Sequence, residues 1–146
     1  MTSAMTSAEI RVFCERFAKA WERGDVAALA ACYADDCEVV SPIFRTLHGR
    51  AEIETSFREL FQAFAEWSIR INDIIIDGEG THAALVWTSQ LTHRGSIFGM
   101  PASGRRLENQ VAMIMTLKDG RIVSERRIYD FTRMLIQLGV LRAKTA

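Results

Sequence analysis

The feature of this sequence that most constrains its fold is a change of hydrophobic period near Trp67. Before that residue, apolar side chains recur at helical intervals; after it, apolar and polar residues alternate as they do in strands. No repeat, low-complexity run or linker interrupts this order. Helices at the start and strands at the end predict an α+β domain, in which a curved mixed or antiparallel sheet wraps around N-terminal helices. Such a sheet forms a cone with an apolar pocket.

Three helices are predicted before the change of period. The first follows the capping-box spacing of Thr6 and Glu9 and continues to Gly24. Asp25 can cap a second helix, which we expect to end at Asp35-Asp36. The apolar positions of this second helix are Val26, Leu29, Ala30 and Tyr33.

A short strand, residues 37–41, is predicted between the second helix and the third. Pro42 breaks it, and a loop containing His48-Gly49 leads into the third helix. One side of that helix is apolar and carries Ile53, Phe57, Leu60, Phe61 and Phe64.

Four further strands are predicted as an antiparallel meander, over residues 69–76, 83–93, 106–117 and 121–129. Asp119-Gly120 is a two-residue hairpin signal between the last two. Because successive side chains of a strand point to opposite faces, each strand divides into two sets. On one strand the more apolar set is Leu85, Trp87, Ser89, Leu91 and His93. On the next strand Asn109, Val111, Met113 and Met115 share one face, but neither face is clearly polar, so we expect helices to cover one and a partner subunit the other.

The last strand carries unusual charge. Alternation predicts that one face holds Val123, Glu125, Arg127 and Tyr129, and that the other holds Ile122, Ser124, Arg126 and Ile128. Asp130 then occupies the N-cap position of a short helix with the apolar residues Met134, Leu135 and Leu138, which Gly139 ends.

Length and charge bound the possible functions. The 146 residues predict one domain, 1–146, with tails at 1–6 and 140–146. With 18 basic and 18 acidic residues the net charge is zero, which argues against nucleic-acid and membrane partners. The odd set of Cys14, Cys32 and Cys37 lacks metal-ligand spacing and predicts buried, reduced thiols. Without a signal-like start or a membrane-length apolar run, we expect a cytoplasmic protein.

A candidate acid/base site is predicted at the mouth of the cone, where His93, Glu125, Arg127 and Tyr129 point inward. Desolvation raises the pKa of a carboxyl group in an apolar cavity, and an adjacent guanidinium lowers it. A histidine moves a proton near neutral pH. Such a set needs no cofactor and no metal. The pocket walls that we expect are Phe17, Trp21, Tyr33, Ser41, Phe57, Phe61, Trp87 and Met113, which suit an apolar or aromatic small molecule.

Several of these residues can also be explained by a purely structural role. Asp130 is more readily interpreted as a helix cap than as a second-line catalytic group. Glu125 and Arg127, two residues apart on one strand face, are as consistent with a solvated or intersubunit ion pair as with catalysis. A lone histidine such as His93 is more often structural. The polar face that carries Thr88, Gln90 and Gln110 predicts a homodimer through the sheet.

Several motifs together resemble the SnoaL-like polyketide cyclases of the nuclear-transport-factor-2-like superfamily, along nearly the whole chain. They are Trp21-Glu22-Arg23-Gly24-Asp25, Tyr33-Ala34-Asp35-Asp36, the loop from Gly99-Met100-Pro101 to Gly104-Arg105, Asp119-Gly120-Arg121-Ile122-Val123, and Gln137-Leu138-Gly139. The resemblance implies the same α+β cone, but this superfamily hosts many reactions and also non-enzymes.

At several positions where related enzymes carry catalytic residues, this chain has a different residue. The anthracycline cyclases are similar but carry an acid/base Asp where this chain has Arg127, and a His where it has Met113; His93 matches a second His of theirs. Limonene epoxide hydrolases also have an Asp at the position that matches Arg127, and an Arg near the position that matches His93. Ketosteroid isomerases have an Asp base at the position that matches Ser41 and a Tyr at the position that matches Phe17.

These observations predict a cofactor-free enzyme of the cyclase, isomerase or hydratase type acting on an apolar carbonyl or polycyclic compound. Glu125 and His93 would exchange protons, and Arg127 would stabilise an enolate or orient Glu125. The alternative is a ligand-binding protein of the same fold without chemistry, which the missing Asp and His favour. A third possibility is an interaction module like the transport factor itself.

Overall fold

A computed structural model describes residues 4–142, so the expected tails are described only in part. Its helices are α1 (Ser7–Arg23), α2 (Val26–Ala30), α3 (Arg50–Ala63) and α4 (Phe131–Gln137). Its strands are β1 (Tyr33–Val40), β2 (Leu47–His48), β3 (Phe64–Ile76), β4 (His82–His93), β5 (Arg106–Lys118) and β6 (Arg121–Ile128). The predicted α+β class is confirmed.

All six strands form one mixed sheet in the order β2-β1-β6-β5-β4-β3. The predicted meander from β3 to β6 is confirmed as antiparallel, and β1 pairs parallel to β6 at the open side of the meander. Register shifts interrupt the β3–β4 and β5–β6 pairings, and such bulges bend a sheet. Helices α1 and α3 pack on the concave face, so the core lies between them and the sheet.

The predicted second helix is wrong at its C-terminal end. α2 stops at Ala30, and Tyr33 begins β1 instead of completing a helical stripe. The reason is tertiary: Tyr33 pairs with Ile122 of β6, and the Arg50 guanidinium donates two hydrogen bonds to the Tyr33 carbonyl oxygen, at 2.7 and 3.1 Å. Phe64 is a similar case, since it begins β3 and not the last turn of α3.

The predicted faces of β6 are correct from Ser124 onward and wrong for Ile122 and Val123. Ile122 is fully buried and Val123 is half-buried, because the register slips by one residue between these two positions. Thr116 pairs with Ser124, whereas Leu117 pairs with Ile122, so Val123 is the additional residue of a bulge. The bulge turns both Ile122 and Glu125 inward.

Caps define the helix ends. The Thr6 hydroxyl accepts a hydrogen bond from the Glu9 amide at 3.1 Å, and Gly24 ends α1 with a φ of 65°. Gly139, with a φ of 83°, follows α4. No helix among residues 4–142 is long and apolar enough to cross a membrane.

Candidate functional site

A cavity of about 50 Å³ lies between the concave face of the sheet and the helices. Fifteen residues line it: Trp21, Ser41, Ile43, Phe44, Leu60, Trp67, Trp87, Ser89, Leu91, Asn109, Val111, Met113, Arg127, Tyr129 and Met134. This volume holds a few water molecules and is well below the roughly 300 Å³ of pockets for drug-sized ligands. In this conformation the cavity therefore accepts only a small ligand.

Four of the eight residues predicted for the pocket wall line this cavity: Trp21, Ser41, Trp87 and Met113. The other four, Phe17, Tyr33, Phe57 and Phe61, do not line it but belong to the packed aromatic cluster of the core. The first three are completely buried, and Phe61 stacks on Phe57 with ring centroids 6.0 Å apart. Trp21 joins this cluster to the cavity wall, since its ring packs edge-on against Phe57 and against Trp87 with centroids 5.1 and 5.2 Å apart.

Arg127 is the charged residue of the cavity wall. Its side chain is 5% exposed, and its Nε donates a hydrogen bond to Oε2 of Glu125 at 2.6 Å. Nη2 donates to the Tyr33 hydroxyl at 3.2 Å, and the guanidinium lies 5.1 Å from the centre of the Trp21 ring. Burial lowers the pKa of Arg127, but the charge of Glu125 and the bonds to it outweigh burial and raise the pKa above its ordinary value. Arg127 is therefore a fixed, permanent cation.

Glu125 lies behind Arg127 and is not part of the cavity wall. Its side chain is completely buried, and both oxygens are occupied: Oε1 accepts from the Tyr33 hydroxyl at 2.9 Å and Oε2 from Arg127. Burial, followed by the charge of Glu125, raises the pKa of Tyr33 well above its ordinary value, so this phenol stays protonated. The ion-pair interpretation fits Glu125, although the pair is buried and not solvated.

His93 is also away from the cavity wall, at the end of β4. Its Nδ1 lies 2.8 Å from the Ser103 hydroxyl and accepts from the Ser103 amide at 3.2 Å, which assigns the ring proton to Nε2. The ring packs against Phe64 with centroids 5.4 Å apart. The structure therefore brings Glu125 and Arg127 together, but it does not place His93 beside the cavity.

Tyr129 lines the cavity beside Ser41, as its position one strand-repeat beyond Arg127 predicts. The two hydroxyl oxygens are 3.5 Å apart. Burial raises the pKa of Tyr129 above its ordinary value, so it is a hydrogen-bond donor at neutral pH and not a base. Asp130, the next residue, is exposed; its carboxylate accepts from the Arg133 amide at 2.9 Å and caps α4.

Some cavity residues were not predicted. Ser89, Leu91, Asn109 and Val111 belong to strand faces that alternation had already grouped with predicted wall residues, so their signal was present. Ile43 and Phe44 lie in the loop after β1, where no period marks the direction of a side chain. No group of three or more His, Cys, Asp or Glu side chains suited to a metal ion occurs in the part of the chain that the structure describes.

Comparison with known proteins identifies the family. Residues 14–125 match the SnoaL-like domain. The chain belongs to the SnoaL-like family. None of the curated proteins matches this SnoaL-like chain significantly. The resemblance inferred from the sequence is thus confirmed.

Solved structures show the same fold. TsrD from Streptomyces laurentii is 24% identical, with a TM-score of 0.81 over 94% of this chain and 99% of that one. IdmH from Streptomyces antibioticus, a candidate polyketide cyclase, is 24% identical, with a TM-score of 0.73 over 89% and 98%. An LEH-like epoxide hydrolase from M. tuberculosis is 21% identical, with a TM-score of 0.70 over 90% of each chain. At these identities the likeness establishes the architecture of the SnoaL-like chain.

Proposed function

We propose that this protein is a cofactor-free enzyme of the cyclase, isomerase or hydratase type, which binds a small, largely apolar carbonyl compound in the cavity. Arg127 and Tyr129 would hold the carbonyl oxygen and stabilise the negative charge that develops on it while a water molecule removes the α-proton. The observation that carries the proposal is the presence of these two donors in an otherwise mostly apolar wall. Donors fixed in a water-poor cavity are the usual means of stabilising an enolate.

The proposal assigns Glu125 a positioning role. Because both of its oxygens are occupied behind the wall, Glu125 would hold the Arg127 guanidinium in place and would not touch the ligand. His93, which is turned toward Ser103, takes no part in it. The direct proton exchange between Glu125 and His93 that we expected from the sequence is therefore replaced by stabilisation of charge on oxygen.

Exchange of α-hydrogens tests this function, since enolisation is common to the proposed reactions. Acetone, which has only four heavy atoms, would lose its α-proton signal in the NMR spectrum in D₂O faster with the protein than in buffer. Tyr129→Phe should slow the protein-dependent exchange about 100-fold, the usual effect of losing one oxyanion donor. Thr116→Val, which removes a hydroxyl from the outer face of the sheet, is the control and should leave the rate unchanged. An unchanged rate in Tyr129→Phe would contradict the assignment.

A ligand-binding protein without chemistry is the second candidate. It is favoured by one observation: the residues that line the cavity include neither a carboxylate nor an imidazole, so no strong base among residues 4–142 faces a ligand there. Acetone that binds, as seen by shifts of cavity resonances, but exchanges no faster than in buffer would support this candidate over the enzyme.

A further inference from the structure

The cavity has a larger neighbour, and one side chain borders both. A surface groove of about 350 Å³ lies between α3 and the loop that joins β1 to β2. Most of the residues that line the groove are polar or charged: Phe44, Arg45, Leu47, Ala51, Glu52, Thr55, Ser56 and Glu59. Among residues 4–142, Phe44 is the one residue that lines both the groove and the cavity. Phe44 therefore stands between a space of about 50 Å³ and one that is wide enough for a drug-sized ligand.

The loop that carries Phe44 is held by few backbone contacts. Within the described part of the chain, residues 42–46 make no hydrogen bond from backbone to backbone. The Ile43 amide donates to the Ser41 hydroxyl at 3.4 Å, which is long for such a bond. The exposed side chains of this loop are Pro42, Arg45 and Thr46. A loop with so few hydrogen bonds opens at a small cost in free energy.

The contact that holds this loop over the cavity is aromatic. The Phe44 ring packs edge-on against the Phe98 ring, with centroids 6.3 Å apart. Phe98 lies in the loop between β4 and β5, is 57% exposed and belongs neither to the core nor to the cavity wall. The pair is therefore a contact between two loops, and it can break without unpacking the core.

Phe98 is held in an unfavourable backbone conformation. It forms a two-residue turn with Gly99, with φ values of 50° and 75°. The flanking residues fasten this turn: the Ile97 amide donates to the Met100 carbonyl oxygen at 3.0 Å, and the Met100 amide donates to that of Ile97 at 2.8 Å. A left-handed conformation is rare for a bulky side chain, and such strain is retained where the side chain has a use. The turn presents a fixed ring against which the Phe44 loop closes.

We propose that Phe44 is a gate between the cavity and the groove, and that Phe98 holds the gate closed. In the closed state, which the structure shows, the cavity admits only small molecules. When Phe44 moves away from Phe98, the cavity and the groove join into one pocket with an apolar inner end and a polar outer end. The gate controls entry and not chemistry, so it does not depend on the proposed function.

Quenching of tryptophan fluorescence by acrylamide tests the gate without a substrate. All three tryptophans of the chain, Trp21, Trp67 and Trp87, line the cavity. Because Trp67 is half-buried, a Trp67→Phe background leaves only emitters that are 5% and 1% exposed. In this background Phe98→Ala should raise the quenching rate constant about 2- to 10-fold, as the loss of one edge-on aromatic pair allows. Phe98 lies outside the wall, so this variant changes the partner of the gate and leaves the cavity lining unchanged.

Val12→Ala in the same background is the matched control. It shortens an apolar side chain on α1 that is 46% exposed, and it should leave the quenching rate constant unchanged. A rate constant that is the same in Phe98→Ala as in its parent would overturn the gate. Acetone that exchanges no faster with the protein than in buffer would contradict the proposed function and leave the gate intact.

Fluorine NMR gives a second measurement in the full chain. With 4-fluorophenylalanine at the eight phenylalanine positions, Phe44→Leu identifies the Phe44 signal. Relaxation dispersion should show that this fluorine exchanges between two states on the microsecond-to-millisecond timescale of loop opening. Phe98→Ala should raise the population of the minor state. A Phe44 signal without exchange, or an unchanged population in Phe98→Ala, would also overturn the gate.

Discussion

The pair of Glu125 and Arg127 shows how one residue can have a role other than the one its chemistry first indicates. A carboxylate on the inward face of a strand suggested a catalytic base. In the structure its two oxygens are bonded to Tyr33 and Arg127, and its side chain is completely buried. Taking two charges out of water is costly, and close pairing offsets the cost. Glu125 is therefore the residue whose charge and hydrogen bond allow Arg127 to be buried.

Replacing Glu125 by glutamine should destabilise the protein strongly. The variant leaves the Arg127 charge buried without a counter-charge, and breaking a buried pair costs about 3 to 5 kcal/mol. Urea unfolding followed by circular dichroism measures the loss. Glu54→Gln is the control: it removes an exposed partner of Arg58 on α3 and should change the free energy of unfolding by no more than about 0.5 kcal/mol. Equal stability of Glu125→Gln and wild type would contradict a structural role for the pair.

Stability should also fall in alkaline solution, partly because of Cys14. Burial raises the pKa of this thiol from 9.0 to about 11. The folded protein therefore holds the proton more tightly than the unfolded chain, so the stabilisation is complete below pH 9 and is lost as the pH rises from 9 to 11. Urea midpoints at pH 8 and pH 10.5 measure the decline, and it should be smaller in Cys14→Ala. A decline of the same size in both proteins would exclude Cys14 as a contributor.

At the scale of elements, the loop after β4 is fixed by a close contact with the end of α3. The amides of Arg94 and Gly95 both donate to the Ala63 carbonyl oxygen, at 2.9 and 3.0 Å. A Cβ at position 95 would collide with the carbonyl oxygen of Gln62, which is backbone and cannot move aside without shifting the helix. Glycine is thus required there by close approach and not by its backbone angles.

Gly95→Ala should therefore destabilise the junction between α3 and β4. Overpacking of this kind costs about 1 to 3 kcal/mol, measured by urea unfolding. The control is Gly78→Ala in the β3–β4 turn, where an added Cβ meets nothing within 4 Å and the stability should be nearly unchanged. If Gly95→Ala is as stable as Gly78→Ala, the contact with α3 does not constrain the loop.

At the scale of the whole molecule, the outer face of the sheet carries an apolar block. The strand register places two rows side by side across β6, β5, β4 and β3: Arg126, Ile114, Ala84 and Ile75 in one, and Ile128, Ala112, Val86 and Asp73 in the other. Ile128 and Ile75 are 55% and 62% exposed. Arg126 and Asp73 occupy opposite corners, so a two-fold rotation can set Arg126 of one copy against Asp73 of the other, twice.

The homodimer through the sheet stays a prediction, and this face is where we expect it. Light scattering at micromolar concentration should give the mass of two chains. Ala112→Arg puts a charge at the centre of the block and should give the mass of one chain, because an unpaired charge in an apolar interface is costly. Val12→Arg, on the exposed side of α1, is the control and should remain dimeric. A wild-type protein with the mass of one chain would contradict the predicted homodimer.

Local signals in the sequence were sufficient to predict the four helices, the β3–β6 meander, most helix ends and the inward face of β4. Those features depend on local signals: Thr6 and Asp130 bond to the first turn of their own helices, and alternation is a property of a single strand. The SnoaL-like assignment could be made for the same reason, since most of its motifs lie at helix ends, turns and loops.

The depth at which each inward side chain lies depends on tertiary packing and could not be predicted from the sequence. Periodicity reports the direction of a side chain, whereas depth depends on what packs opposite it. Alternation along the strand could place Glu125 and Arg127 on one face. It could not show that Arg127 reaches the cavity while Glu125 is hydrogen-bonded to Tyr33 behind it. Likewise Tyr33 became a strand residue because β6 and Arg50 bind its backbone, and these contacts come from residues distant in the sequence.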